Sequence, residues 1–303
     1  MSDFRLELLK PRYWLTWLSV GLLLILAWLP WKTRSWLAMH IGQALYQHHH
    51  KRRRVVLTNL RLCFPHLTES ERAQWALGHF REYAYALLNY SVMFFRPRGW
   101  LQQQIQIQGR EQLDAAIAAG QNIVLMLGHS VWLEIAPIAL GEHYRIYGSY
   151  KPFRNAVIDW LIARSRLKDV EFVVARQEGM MKLVRSLEPG RIMIFLPDED
   201  HGLKASVFAP FFGLPKATLT TPARLCKLGK AVAFPVMAFR EPNSERYSVE
   251  IGPALTDFPH KEEAMSAASL NAGLAELIKQ HPHQYLWMLK FFRTRPLGET
   301  SVY

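Results

Sequence analysis

The chain has 303 residues, half of them apolar, and a formal net charge of +12. That is enough length for one large domain or a domain with an appendage. Cys63 and Cys226 are the only cysteines and form no CxxC spacing, which excludes a disulfide-stapled scaffold and a cysteine-rich metal module and favours a reducing compartment. The charge points to anionic partners, whether membrane phospholipid, nucleic acid, phosphorylated substrates or an acidic carrier protein, without choosing among them.

Tyr13 to Trp31 carries no charge and is long enough to cross a bilayer, with Trp14, Trp17, Trp28 and Trp31 as aromatic belts. A helix lying in the interface also fits the Trp and Pro at both ends. A secretory signal fits less well, because no small-x-small cleavage site follows Pro30. No Asp or Glu occurs between Glu7 and Glu69, whereas Lys10, Arg12, Lys32, Arg34 and the run Lys51–Arg54 all fall there. This block of positive charge after the apolar segment predicts a main domain on the cytoplasmic side. The tract 48–54, HHHKRRR, reads as a strip for anionic headgroups rather than a nucleic-acid patch. The expected division is residues 1–34 as a transmembrane or membrane-anchoring helix and 35–303 as the main domain.

Val55, Val56, Leu60 and Cys63 have helical spacing, and Thr68 with Glu71 forms a capping box that opens a helix running to about Phe95. A strand is expected over 104–108 and a short helix over 111–119. Ile123 to Leu127 is an unbroken apolar run, which fits a strand buried on both faces. It ends at His129, and Glu134 follows in what reads as the first turns of a helix. A histidine at the carboxyl end of a strand sits where open α/β sheets bind ligands. If Glu134 reaches back to it, the carboxylate orients the imidazole and the imidazole takes a proton from a hydroxyl. The same spacing also fits a helix-capping histidine followed by a glutamate on the wet face.

Beyond this stretch, strands are expected over 144–150 and 170–174, with a loop at 151–155 and helices over 157–167 and 179–187. Ile192 to Leu196 is a second wholly apolar strand, ending in Pro197-Asp198-Glu199-Asp200-His201. That acidic cluster fits either a metal site or a solvated turn, and no second cluster of ligands supports the metal. The segment 207–213 reads as an apolar loop, 221–228 and 265–280 as helices, 231–239 and 247–251 as strands, and 283–287 as a last strand. The alternation predicts an α/β fold, a mainly parallel sheet flanked by helices, with the membrane-anchoring helix packed at its amino-terminal end. Neither a P-loop nor a GxSxG elbow is present, so the motifs suggest neither a nucleotide nor a serine nucleophile.

The His129-x4-Glu134 pair resembles the HX4D/E signature of glycerolipid-type acyltransferases. More narrowly, the chain resembles the late acyltransferases of lipid A biosynthesis, the lauroyl and myristoyl transferases. The matching stretches are PRYWLTWL, NLRLCFP, LGHSVWLE, YKPFRNAVIDWL, RSRLK, LPDEDHG, SVFAPFFG and QYLWMLKFFRTRP, spread from residue 11 to residue 296. The resemblance implies transfer of a fatty acyl group from acyl carrier protein to a hydroxyacyl chain of a Kdo-bearing lipid A precursor, at the cytoplasmic side of the bacterial inner membrane. It implies His129 as general base and Glu134 as its orienting carboxylate. Functional roles are also implied for Arg166 and Asp198, and no cofactor or resident metal is needed, because a thioester is already activated. Lys151, Arg154, Arg164 and Arg166 offer charge for glucosamine phosphates or Kdo carboxylates. The backbone amides around Val131–Leu133 are candidate oxyanion donors. A lysophospholipid or glycerol-phosphate acyltransferase is the alternative within the same chemistry. It would show an FPEGT-like turn where this chain has FLPDEDHG. Two readings from other classes are a membrane-tethered polyanion binder using HHHKRRR and a metal hydrolase built on His129, Glu134, Asp198, Asp200 and His201.

Overall fold

The computed structural model describes residues 4–175 and 179–303. Its frame is a seven-stranded sheet in the order β1 (Ile105–Gln108), β9 (Tyr247–Ile251), β8 (Ala231–Arg240), β2 (Asn122–Leu127), β5 (Arg191–Phe195), β3 (Arg145–Tyr150), β4 (Phe172–Ala175). Every neighbouring pair is parallel except β8–β9. Parallel strands need crossover connections, and helices supply them: α6 (Arg110–Ala118), α7 (Ile135–Leu140), α8 (Ala156–Arg166) and α9 (Met180–Arg185) intervene between successive strands. The mainly parallel α/β sheet flanked by helices is therefore as the alternation implied.

Strand β2 lies at the centre, and its apolar run divides between two cores because successive side chains point to opposite faces. Ile123, Leu125 and Leu127 pack with α7 and with Tyr85 and Trp132. Val124 and Met126 pack on the other face with Met193, Phe239, helix α11 (Glu263–Gln280) and the aromatic carboxyl-terminal segment around Tyr285, Trp287 and Phe291. Both faces of β2 are dry, so each of these side chains contributes about 1.5–3 kcal/mol of apolar burial.

The capping box opens α4 (Glu69–Phe95): the Glu71 amide donates to Thr68 Oγ1 at 3.2 Å and the Thr68 amide to Glu71 Oε2 at 2.7 Å. The expected loop over 207–213 is instead half of a β-hairpin, β6 (Ser206–Phe211) with β7 (Leu214–Leu219), because Phe212 and Gly213 adopt the positive φ that a tight turn demands. The expected strand over 283–287 is a short 3-10 turn, Pro282–Gln284, followed by a single bridge from Tyr285 to Ser130.

The amino-terminal segment departs most from expectation. Helix α1 (Trp14–Trp28) stops at Leu29, held extended at ψ 146° before Pro30, and a separate helix α2 (Trp31–His48) begins beyond it. Fifteen residues rise about 22 Å, against about 30 Å of bilayer hydrocarbon. No helix among the described residues is long and apolar enough to cross a membrane, so the transmembrane expectation for residues 1–34 fails at Pro30. Helix α1 lies on α4 and α8: Arg96 donates to the Ala27 carbonyl at 2.8 Å and its guanidinium covers Trp28 at 4.5 Å. Trp17, expected in an outer belt, turns inward, donating to the Leu8 carbonyl at 2.7 Å. Arg34, expected in the exposed basic block, is fully buried and pairs with Asn89 and Glu245. The outer side of α1 nevertheless shows Trp14, Leu15, Leu18, Leu22 and Ile25 to the surroundings.

Candidate active site

The site forms at the carboxyl ends of β2 and β5. These strands are parallel neighbours in a register that pairs Met126 with Phe195. His129 and Asp198 each lie three residues beyond that pair, so the sheet brings them out side by side. Gly128 lets the chain pass close to the core there, since a β-carbon would meet Met237 Sδ at 3.1 Å and Leu274 Cδ2 at 3.3 Å. The Asp198 carboxylate takes His129 from two sides: the backbone amide donates to Oδ2 at 2.8 Å, and Nδ1 lies 2.5 Å from Oδ1. Tyr285 donates its hydroxyl to Oδ2 at 2.8 Å.

Asp198 is only 2 % exposed. Burial works against its charge, but the His129 imidazole, through charge and hydrogen bonds, and the Tyr285 hydroxyl overcome it and hold the carboxyl down at about 2. An ionised carboxylate on Nδ1 holds the proton there and leaves Nε2 as the basic nitrogen, the arrangement a general base requires. Nε2 lies 3.3 Å from Glu199 Oε1, on a side chain 36 % exposed.

The sequence suggested Glu134 as the orienting carboxylate, but the structure gives the Nδ1 position to Asp198. Glu134 precedes α7 as its N-cap rather than standing within the helix, and its carboxylate pairs with Arg166 through two bonds, one from Nε at 3.0 Å and one from Nη2. The bidentate contact holds both charges where solvent is scarce, with Glu134 8 % exposed. Burial opposes the Arg166 charge, yet the Glu134 carboxylate raises the guanidinium above its ordinary value. The amides expected to face an oxyanion are already engaged. Val131 N donates to the Gln284 carbonyl at 2.8 Å, Trp132 N to Ser130 Oγ at 3.2 Å, and Leu133 N to the Ser130 carbonyl at 3.3 Å.

In front of His129 opens a cavity of about 350 Å³. Its wall combines the polar side chains of His129, Glu134, Lys151, Arg166 and His201 with apolar groups such as Val173, Met180, Leu183 and Ile194. A few charged groups in a mainly apolar cavity wall suit an amphipathic ligand with a hydrocarbon part.

The carboxylate cluster does not converge on a metal. Asp200 spends its oxygens on Thr294 N at 2.6 Å, Thr294 Oγ1 at 2.7 Å and Gly202 N at 2.9 Å. Among the described residues no group of three His, Cys, Asp or Glu side chains is arranged to hold an ion.

The sequence matches the profile of the bacterial lipid A biosynthesis acyltransferase family over residues 1–294. The chain belongs to that family. It is 34 % identical to a lipid A biosynthesis acyltransferase of Haemophilus influenzae, covering 98 % of this chain and 93 % of the relative. It is 30 % identical to the lipid A biosynthesis palmitoleoyltransferase of Escherichia coli K12, over 99 % and 98 % of the two chains. The lauroyltransferase of the same organism is also 30 % identical, over 100 % of this chain and 99 % of its own.

For this lipid A acyltransferase the sequence-named residues fall into three places. His129, Glu134, Lys151 and Arg166 share the cavity wall. Asp198, expected to bind substrate, instead lies behind His129, bonded to it. Arg164 is absent from the cavity wall; it is exposed, its guanidinium over the Trp160 ring at 5.5 Å beside α1. Tyr285 was missed altogether. Its only signal is its place in QYLWMLKFFRTRP, and an aromatic 87 residues from its partner leaves no local periodicity to read.

Proposed function

We propose that this acyltransferase moves a fatty acyl chain from acyl carrier protein to the hydroxyl of a hydroxyacyl chain on a Kdo-bearing lipid A precursor, at the cytoplasmic face of the inner membrane. One observation carries this reading: an imidazole anchored by a buried carboxylate stands in the wall of a mainly apolar cavity. The acceptor hydroxyl takes the place facing Nε2, and the imidazole removes its proton as the alkoxide oxygen bonds to the thioester carbonyl carbon. The tetrahedral oxyanion then expels the carrier thiolate, which recovers the proton from the imidazolium. With the 131–133 amides occupied, Arg166, aimed by Glu134, is a positive group of the cavity wall that can serve the oxyanion, and Lys151 is a second.

Two surfaces support the partners. The exposed stripe Trp14, Leu15, Leu18, Leu22 and Ile25 suits a helix lying in the membrane interface. It adjoins the cavity side, because Asn155, in the loop that carries Lys151, donates to Thr16 of α1 at 3.0 Å. Far from it, α3 (His50–Cys63) and the start of α4 bound a basic groove of about 680 Å³ lined by Arg53, Arg54, Arg61 and Arg72, with Glu69 as its one acidic member. Arg54 and Arg61 are two helical turns apart, about 10 Å, which suits the carboxylates of an acidic helix on the carrier protein. Arg72 and Arg96, the residue that grips α1, are separated by about 36 Å of helix, so groove and apolar stripe serve different partners.

The test is incubation of the purified protein with carrier protein bearing acyl chains of several lengths and the tetra-acylated precursor. A gain of one acyl group in the lipid, lost in His129→Ala, is expected. Transfer that persists in His129→Ala refutes the assignment of the base.

A further inference from the structure

We propose that Lys216 is a positioning residue for this reaction, its buried ammonium setting the charge balance of the Asp198–His129 pair from behind and so the pH at which His129 works as a base. The inference rests on the proposed base role of His129.

Lys216 is on β7, opposite Ala209 of β6, and is fully buried. Its Nζ has no hydrogen-bond partner among the described residues and lies 5.6 Å over the Phe211 ring. An ammonium removed from water costs several kcal/mol unless it is well paired, so packing alone does not account for a lysine here; a methionine would fill similar space without that cost. Phe211 leads on to the site, its ring 6.3 Å from that of Tyr285, which donates to Asp198; burial pulls the ammonium down to about 8, against the opposing charges of Asp198 and Asp200.

Neither carboxylate needs a lysine to satisfy its hydrogen bonds. Asp198 already receives the His129 amide, the His129 ring and Tyr285, and Asp200 receives Thr294 twice and Gly202. Lys216 therefore acts through its field. Other charged groups crowd the same corner. Arg293 donates to the Asp200 carbonyl at 2.9 Å, Arg295 to the Pro215 carbonyl at 2.8 Å, and Glu199 faces the far side of the imidazole. The α11 residue bonded to β7 is neutral, Asn271 donating to Thr218 at 2.8 Å.

The sign follows from the arrangement. The Lys216 ammonium disfavours a second positive charge on His129, so the imidazole loses its proton at lower pH than it would with a neutral residue at position 216. One buried unit charge facing such a pair in a medium of effective dielectric about 20 changes the equilibrium by on the order of one pH unit.

The experiment is the pH profile of kcat/KM for acyl transfer by Lys216→Met, Lys216→Gln and Lys216→Arg. Both neutral variants are expected to move the acid limb upward by about one unit, lowering the rate below the limb about tenfold while leaving the plateau within a few-fold. Lys216→Arg is expected to keep the wild-type limb. Two neutral variants guard against loss of one to misfolding. A limb at the wild-type pH with a uniformly lower rate overturns the proposal, as does an arginine variant shifted as far as methionine. A wild-type protein that transfers no acyl group fails the functional reading instead, and the two failures are told apart by that control.

Discussion

Replacing Asp198 by asparagine probes two consequences of its charge at once. In the native protein the carboxyl is held at about 2, against 3.8 ordinarily, a difference of about 2 kcal/mol at 1.36 kcal/mol per unit. Because the native value is depressed, that stability is present above the unfolded value of 3.8 and is lost as pH falls through about 2. Asp198→Asn should therefore unfold at lower urea than the parent at pH 7, by about 2 kcal/mol, with the gap closing toward pH 2. The catalytic effect is larger. If the asparagine oxygen accepts the His129 amide, its NH2 faces Nδ1 and forces the proton onto Nε2, which abolishes the acceptor lone pair. A loss of about 10³–10⁴ in kcat is expected, the scale on which a wrong tautomer acts in the serine-protease triad. Acyl transfer measured by mass spectrometry, beside urea melts at several pH values, reads both. Turnover within tenfold of wild type, or a stability gap independent of pH, would refute the argument.

Tyr285→Phe removes one donor to a buried carboxylate and should cost about 1.5–3 kcal/mol of stability, with a smaller loss of kcat than Asp198→Asn; thermal melts and initial rates check this. Exchanging Leu18 and Leu22 for glutamate should weaken sedimentation with anionic vesicles without changing the thermal midpoint by more than a few degrees, since both side chains are exposed. Charge reversal at Arg54 and Arg61 should raise KM for the carrier-bound donor about tenfold or more while leaving kcat and the rate with a small pantetheine thioester unchanged; equal loss with both donors would move the docking site elsewhere.

The parts of this fold that depend on local pattern were readable. The runs 123–127 and 192–196, the capping box at Thr68 and the position of His129 all follow from spacing alone, and each corresponds to an element of the structure. What escaped reading depends on which strands become neighbours. Glu134 is five residues from His129 and Asp198 is 69 away, so proximity in sequence favoured the wrong carboxylate. The adjacency of β2 and β5 was hidden because β3 and β4 intervene in the chain but not between those two strands in the sheet. At the amino terminus hydropathy outweighed proline: the uncharged stretch suggested one span, whereas its helix stops at Trp28, just ahead of Pro30, and α2 carries on as a separate helix packed on α4.

The offset shared by His129 and Asp198 beyond one paired position of β2 and β5 has a practical corollary. Their mutual placement starts from the main-chain ladder, so the segments beyond Asp198 and His129 can diverge more readily than the two short stretches that join each residue to its strand. Inserting a single residue between Phe195 and Asp198 is a different matter, for it breaks the shared three-residue offset while every strand remains intact. Enzymes built this way can change what they accept far more readily than how they react.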